Sequence, residues 1–336
     1  MIYNTLRFIS AFTFKRGFNL LKNEASYYLS LLSDKPRMAG LPWAISIEPT
    51  TSCNLRCPEC PSGLRQFTRP TGYMTLASFK QIIDQLSSHL IYLILYFQGE
   101  PMLNKQFIEM VRYAKQKRIY LATSTNGHFL DDAFAKIIVE AGLDRLIISM
   151  DGMDQATYEQ YRVGGNLATV QQGISNILRW KKELRAHHPF IELQFLVLGT
   201  NEHQLADIKQ YARSLKVDKL NLKSAQLYYN KDNSLLTSFS AYSRYESTTD
   251  GTLKIRSSLP DRCHRMWHSP VITWDGKILP CCFDKDAGYI LGDMLTDSFD
   301  KIWTNPAYKE FRKRVFSSRK ELSLCANCTE GLKNNT

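Results

Sequence analysis

Nothing in the chain is apolar for long enough to cross a membrane as a helix. The longest aliphatic and aromatic run, "IYLILYF" over 91–97, falls far short of the roughly 20 residues a spanning helix needs. The opening "MIYNTLRFISAFTFKRGFNLLKN" is apolar in part, but Lys15 and Arg16 interrupt it and no small-residue cleavage site follows, so no targeting segment stands out. We therefore expect a cytoplasmic protein, where cysteines stay reduced. No low-complexity tract or long-period repeat is present either. Acidic residues are in deficit, with Asp+Glu 32 against Lys+Arg 43 for a net charge of +11. That balance favours anionic partners such as nucleic acid, acidic lipid, phosphate or acidic peptide, although a basic solvated surface gives the same count.

What is present is a folded composition: 336 residues, 44% hydrophobic and 22% charged, a length that points to about two domains. Residues 1–42 read as a helical arm, because Leu6, Ile9, Phe12, Phe18 and Leu21 share faces. Six basic and two acidic residues lie in positions 1–40, a basic amphipathic pattern suited to packing on the body or to a peripheral membrane contact.

From residue 43 a strand–helix alternation runs to 225. The stretches "WAISIEP", "IYLILYF", "RIYLATS", "DRLIISM", "FIELQFLVL" and "DKLNLKS" are short, rich in aliphatic and aromatic residues and bounded by turn residues, as buried strands are. Strand ends at Phe97, Thr123 and Ser149 are 26 residues apart, the length of one parallel crossover. Six such units predict an α/β fold, a partial (β/α)6 barrel with chemistry at the strands' carboxyl ends. A doubly wound open sheet would alternate in the same way. The polar stretch 226–260 reads as a linker. A small cysteine-rich domain over 261–332 follows, with a hairpin turn at Asp275-Gly276.

Eight cysteines in a reducing compartment read as ligands or catalytic groups before disulfides. Three of them, Cys53, Cys57 and Cys60 in "TTSCNLRCPECPSG", follow the first strand at C-x3-C-x2-C spacing. Structural zinc takes four ligands, and no cysteine or histidine follows for 28 residues, until His89. Three thiolates on a four-iron cluster would leave one iron open for a bound small molecule.

"CNLRCPEC" resembles the cluster motif of the radical SAM enzymes. In that family the open iron of a 4Fe–4S cluster chelates S-adenosylmethionine (SAM). One electron then cleaves SAM to methionine and a 5′-deoxyadenosyl radical, which takes hydrogen from a substrate. Glu59 stands where the family often has an aromatic residue. "YFQGEPML" resembles the motif that holds the SAM amino group, with Gly99, Glu100 and Pro101 matching and Gln98 replacing a common glycine. By the same resemblance Ser124 and Asn126 of "TSTNG" would face the SAM carboxylate or ribose. Ser149 and Asp151 of "ISMDG" would face the ribose, Arg162 the carboxylate, and Asn201 is a further candidate. Each alone is also ordinary turn chemistry.

The remaining five cysteines resemble the SPASM (or shorter twitch) domain appended to many of these enzymes, which binds auxiliary iron–sulfur clusters. The resemblance implies one auxiliary 4Fe–4S cluster on Cys263, Cys281, Cys325 and Cys328, with Cys282 spare, a substitute ligand or a catalytic thiol. Four thiolates leave no open iron, so such a cluster moves electrons or stiffens the domain. A four-cysteine zinc site is the simpler alternative, and His264 and His268 are further possible ligands. Gln194, Lys223 and Tyr228 stand where they could line a substrate cavity.

The expected activity is radical SAM chemistry on a small molecule or peptide, with a low-potential flavodoxin- or ferredoxin-type electron donor. Forty N-terminal residues are too few for a leader-peptide recognition domain, which favours a small molecule or a peptide delivered by a partner. The rivals are a non-catalytic iron–sulfur electron carrier, which has no use for the Gly-Glu-Pro segment, and a zinc-stabilised nucleic-acid-binding module, which the three-thiolate site disfavours.

Overall fold

All six expected strands form, the first five as short and largely buried apolar runs and the sixth as a partly exposed edge. The computed structural model describes residues 2–228, 233–248, 252–256 and 258–328. The strands are β1 (Ala44–Ile47), β2 (Tyr92–Ile94), β3 (Tyr120–Thr125), β4 (Arg145–Ser149), β5 (Phe190–Val197) and β6 (Lys219–Ser224). They pair in parallel in chain order. Helices lie between them, their apolar faces buried against the sheet, as with Phe79, Ile82, Ile83 and Leu86 of Leu76–Leu86. β6 ends the sheet without meeting β1, so the barrel is partial.

The C-terminal region differs from expectation in one respect. After a short hairpin β7 (Tyr245–Ser247) and β8 (Leu253–Ile255), the strands β9 (Val271–Ile272), β10 (Lys277–Leu279) and β11 (Gly292–Asp293) extend the main sheet. β9 lies parallel to β1, with Ser46 opposite Val271 and Ile47 opposite Ile272. β1 would otherwise present an open edge, and the cysteine-rich segment covers it. Gly276 takes φ 84° at the β9–β10 turn, as the Asp-Gly pair implied. The stretch read as a linker is not bare connection: Tyr245 of β7 is buried beside Leu55, Cys57, Tyr161 and Leu198. Residues 329–332, the end of the expected small domain, lie outside the described residues.

The N-terminal arm forms two helices, α1 (Ile2–Ile9) and α2 (Phe14–Ser33), docked by polar contacts. Arg7 pairs with the buried Asp144 at 2.6 Å. Arg16 is buried and donates to the carbonyls of Ala11, Ser87, Lys117 and Arg118 at 2.7–3.1 Å. Asn23 reaches the carbonyl of Trp267 at 2.8 Å, joining arm and C-terminal region. Arg16→Ala strands those carbonyls, and we predict a loss of about 2–4 kcal/mol, read as a lowered thermal midpoint. An unchanged midpoint would show that the arm does not contribute to folding. The outer face of α2 stays apolar, with Phe14, Phe18, Leu21, Tyr28, Leu29 and Leu32 each more than half exposed. Among the described residues no helix is long and apolar enough to cross a membrane.

Candidate active site

The loop after β1 is held from two directions. Thr50 and Thr51 leave the strand buried and tie to Gly72, with Thr50 Oγ1 donating to its carbonyl at 3.0 Å and Gly72 N–H donating to Thr51 Oγ1 at 2.9 Å. At the far end Cys60 precedes a single helical turn, α3 (Pro61–Leu64), whose proline has no N–H to leave unpaired. Gly63 of α3 packs so closely that a Cβ there would lie 2.6 Å from the Cys57 nitrogen. The three cysteines thereby face one cavity of about 440 Å³. Burial pushes the Cys57 thiol up to about 11 and the Cys53 thiol up to about 12. Such thiols ionise at neutral pH only against a cation, which is what a metal cluster supplies. No three cysteine sulfurs among the described residues converge within 4.8 Å, whereas bonds of about 2.3 Å to one zinc would draw them closer. The donor set and its spread fit a cluster.

The carboxyl ends of the next strands form the opposite wall. Gly99, Glu100, Ser124, Asn126, Ser149 and Arg162 line the same cavity as the cysteines. Gly99 N–H donates to Ser62 Oγ at 2.8 Å and Glu100 N–H to the Ser52 carbonyl at 2.7 Å, so this segment is stitched to the cysteine loop. The Glu100 carboxylate accepts Thr125 Oγ1 at 2.8 Å, Asn126 N–H at 2.8 Å and Met102 N–H at 3.2 Å. Burial outweighs these bonds and raises its pKa to about 7. Asn126 Nδ2 donates to Asn54 Oδ1 at 2.7 Å and lies 4.0 Å from Cys53 Sγ. Pro101 is buried behind this wall, opening the 3-10 turn Pro101–Leu103, and shapes the loop without lining the cavity.

Asp151 departs from expectation. It is fully buried, taking Arg162 Nε at 2.6 Å on one oxygen and Leu196 N–H at 2.7 Å on the other. It does not line the cavity; it aims Arg162, whose Nη1 lies 4.0 Å from Cys57 Sγ. Asn201 is likewise structural, buried and clamping the carbonyls of Asp151 and Leu196 at 3.0 and 2.8 Å.

Cys263, Cys281, Cys325 and Cys328 are all buried and none forms a disulfide, while the half-buried Cys282 lines the cavity. Burial, with the neighbouring Cys282, Cys263 and Cys328, pushes the Cys281 thiol well above its ordinary value. Arg319, buried, aims Nη2 at Cys328 Sγ from 3.3 Å and supplies a positive charge beside the set. It stood out in no motif, because it opens the short 3-10 turn Arg319–Glu321 just past a basic helix. His264 is not with these cysteines; its Nε2 meets Glu24 Oε2 of α2 at 2.8 Å, and His268 stacks on Trp43. Gln194 and Lys223 line the cavity as expected; Tyr228 does not, but lies under Lys285.

The radical SAM superfamily model matches residues 47–212, and the model of the SPASM iron–sulfur cluster-binding domain matches 263–329. The chain is 26% identical over 307 residues to the tungsten-containing aldehyde ferredoxin oxidoreductase cofactor-modifying protein of Pyrococcus furiosus, covering 79% of this chain and 82% of that one. To the PqqA peptide cyclase of Rhodopseudomonas palustris it is 25% identical over 261 residues, 72% of this chain and 67% of the relative. Its fold is shared with SuiB of Streptococcus suis bound to S-adenosylmethionine (TM-score 0.65, 13% identity, 93% and 77% of the two chains). It is also shared with BtrN in complex with AdoMet and 2-DOIA (TM-score 0.53, 20% identity, 86% and 94%). The cysteine loop, the strand order and both matched regions agree: this chain belongs to the radical SAM superfamily and carries a C-terminal SPASM iron–sulfur domain.

Proposed function

We propose that Cys53, Cys57 and Cys60 hold the 4Fe–4S cluster of this radical SAM enzyme, with SAM on the iron they leave open. The observation that carries this reading is that the three thiols and Glu100 face one cavity with no fourth cysteine beside them on that loop. Glu100 takes the SAM ammonium, Asn126, Ser124 and Ser149 offer hydrogen bonds, and Arg162, aimed by Asp151, takes the carboxylate. Cys263, Cys281, Cys325 and Cys328 hold one auxiliary 4Fe–4S cluster. When bound, cluster and SAM supply a carbon radical that removes hydrogen from a substrate. The protein's part is to bury, orient and exclude water. We assign 43–225 to the barrel, 226–260 to the connection and 261–332 to the auxiliary domain.

The substrate is a small molecule or peptide, a reading supported by relatives named as a cofactor-modifying protein and a peptide cyclase. A donor of flavodoxin or ferredoxin type would supply the electron, and an acidic one complements the +11 charge. Reconstituted wild type should hold iron for two clusters, and Cys57→Ala iron for one. Equal iron in both would reject the assignment.

Glu100 makes SAM binding pH-dependent. Its pKa is raised from the usual carboxylate range to about 7, so free protein carries it protonated below that pH. Native protein then binds more protons than unfolded between about 4.5 and 7, and SAM-free stability falls as pH rises through that window. Binding the ammonium expels the proton, so SAM affinity falls roughly tenfold per unit below about pH 7. Titration calorimetry should show that slope in wild type and none in Glu100→Gln; a flat wild-type profile would count against the role of Glu100.

The apolar outer face of α2, flanked by Lys15 and Lys22, is proposed as a peripheral contact with anionic membrane. Cosedimentation with phosphatidylglycerol vesicles should be lost in Phe14→Ser/Phe18→Ser/Leu32→Ser. Wild type that stays in the supernatant would leave the stripe to a protein partner.

A further inference from the structure

Beyond the cysteines, the cavity has a second chemical character that no motif announced. Lys223 is the penultimate residue of β6, Arg244 precedes β7, Arg265 opens the helix Arg265–His268 and Lys285 follows β10. Four separate segments thus turn cations into the space that also holds Cys60 and Cys282. The carboxylates lining it are Glu59 and Glu100 alone among the described residues. Glu59 accepts the backbone N–H of Tyr228, and Glu100, which accepts three donors, is assigned to the SAM ammonium. Lys223 and Lys285 are half-buried and form no ion pair within 4.0 Å among the described residues. The Lys285 ammonium lies 4.1 Å over the Tyr228 ring, a contact that holds it in place without neutralising it.

We infer that this wall binds an anionic group of the substrate, a carboxylate or a phosphate, clamped chiefly by Lys223 and Lys285 with Arg244 beside them. The inference rests on the reading that the cysteine side holds cluster and SAM. Burial, with a smaller push from the charge of Arg244, lowers the pKa of both lysines, although Glu192 offsets part of this at Lys223 and Cys60, Cys282 and Glu59 offset part at Lys285. Cations brought together at that cost are stabilised when an anion enters. The cluster does not fill that need. A resting four-iron cluster on three thiolates carries one net negative charge and SAM one net positive, so together they leave the lysines unbalanced. On the auxiliary side a resting cluster on four thiolates carries two net negative charges, one of which Arg319 offsets at Cys328. Two ammonium groups on opposite elements would also fix the substrate's orientation, placing its reacting carbon at a set distance from SAM.

The test uses the anaerobically reconstituted full chain with SAM present, titrated calorimetrically with inorganic pyrophosphate, with citrate, and with neutral glycerol. Wild type is expected to bind an anion and not glycerol; pyrophosphate preferred over citrate names a phosphate, the reverse a carboxylate. Lys223→Met/Lys285→Met should weaken binding at least roughly tenfold, about 1.4 kcal/mol, and Lys223→Arg should keep it. Wild type that binds SAM but neither anion overturns the inference. So does a double variant that binds the anion as tightly as wild type, or one whose only change is lost iron, which would give the lysines to the cluster. Wild type that fails to bind SAM in the same series rejects the underlying reading instead.

Discussion

Cys57→Ala is expected to reduce 5′-deoxyadenosine formation from SAM and a strong reductant to the level of a protein-free mixture. Cys57 is the buried middle member of the trio, 6% exposed, and its loop is pinned by Gly72 on one side and α3 on the other. No fourth thiol lies on that loop to replace it, since the cysteine that follows Cys60 in the chain is Cys263. Two thiolates leave the cluster under-coordinated, and without it SAM has neither an anchor nor an electron. The auxiliary site should survive, so the variant keeps brown colour and about half the iron. That residual cluster makes the comparison informative, because it separates electron storage from SAM cleavage. Wild type that retains its clusters yet neither binds nor cleaves SAM would overturn the assignment of these cysteines.

Gly99→Ala should be nearly as damaging, though it removes no ligand. Gly99 has φ +73°, a region that L side chains rarely adopt, and a Cβ there would stand 2.4 Å from the Thr50 carbonyl oxygen and 2.7 Å from that of Ser52. Both are backbone atoms of the cysteine loop, so neither can swing aside. Strain plus overlap costs on the order of 2–4 kcal/mol. It is relieved by parting the two loops that Glu100 N–H and Gly99 N–H now stitch together. We expect SAM affinity to fall at least roughly thirtyfold, about 2 kcal/mol, while far-ultraviolet dichroism stays native. An alanine variant with wild-type affinity would show that the loops move independently.

Local chemistry was legible in the sequence; long-range partners were not. The strands could be read because Ile45, Leu93, Leu121 and Ile148 sit in short apolar runs, and the thiols because their spacing is local. The pairing of β9 with β1 could not be read, since two residues, Val271 and Ile272, meet an edge more than two hundred positions away without local signal. Asp151 was assigned to the ligand because a strand-end aspartate looks available. Only the turn of the helix Gln155–Tyr161 brings Arg162 back to occupy it. The cationic wall was nearly invisible for the same reason: of its four members only Lys223 stood on a strand, and the others belong to loops and one helical turn.

The late arrival of β9 bears on how the chain is made. β1 is complete at residue 47, but its outer neighbour is not synthesised until residue 272. At about 5–20 residues per second this takes roughly 10–45 s of translation. Throughout that interval the nascent protein exposes an unpaired parallel edge directly below the three thiols that must later be metallated. Such an edge invites association with other chains. Slower growth in the cold lengthens the wait, so soluble yield is expected to depend on chaperone supply more than on the stability of the finished fold.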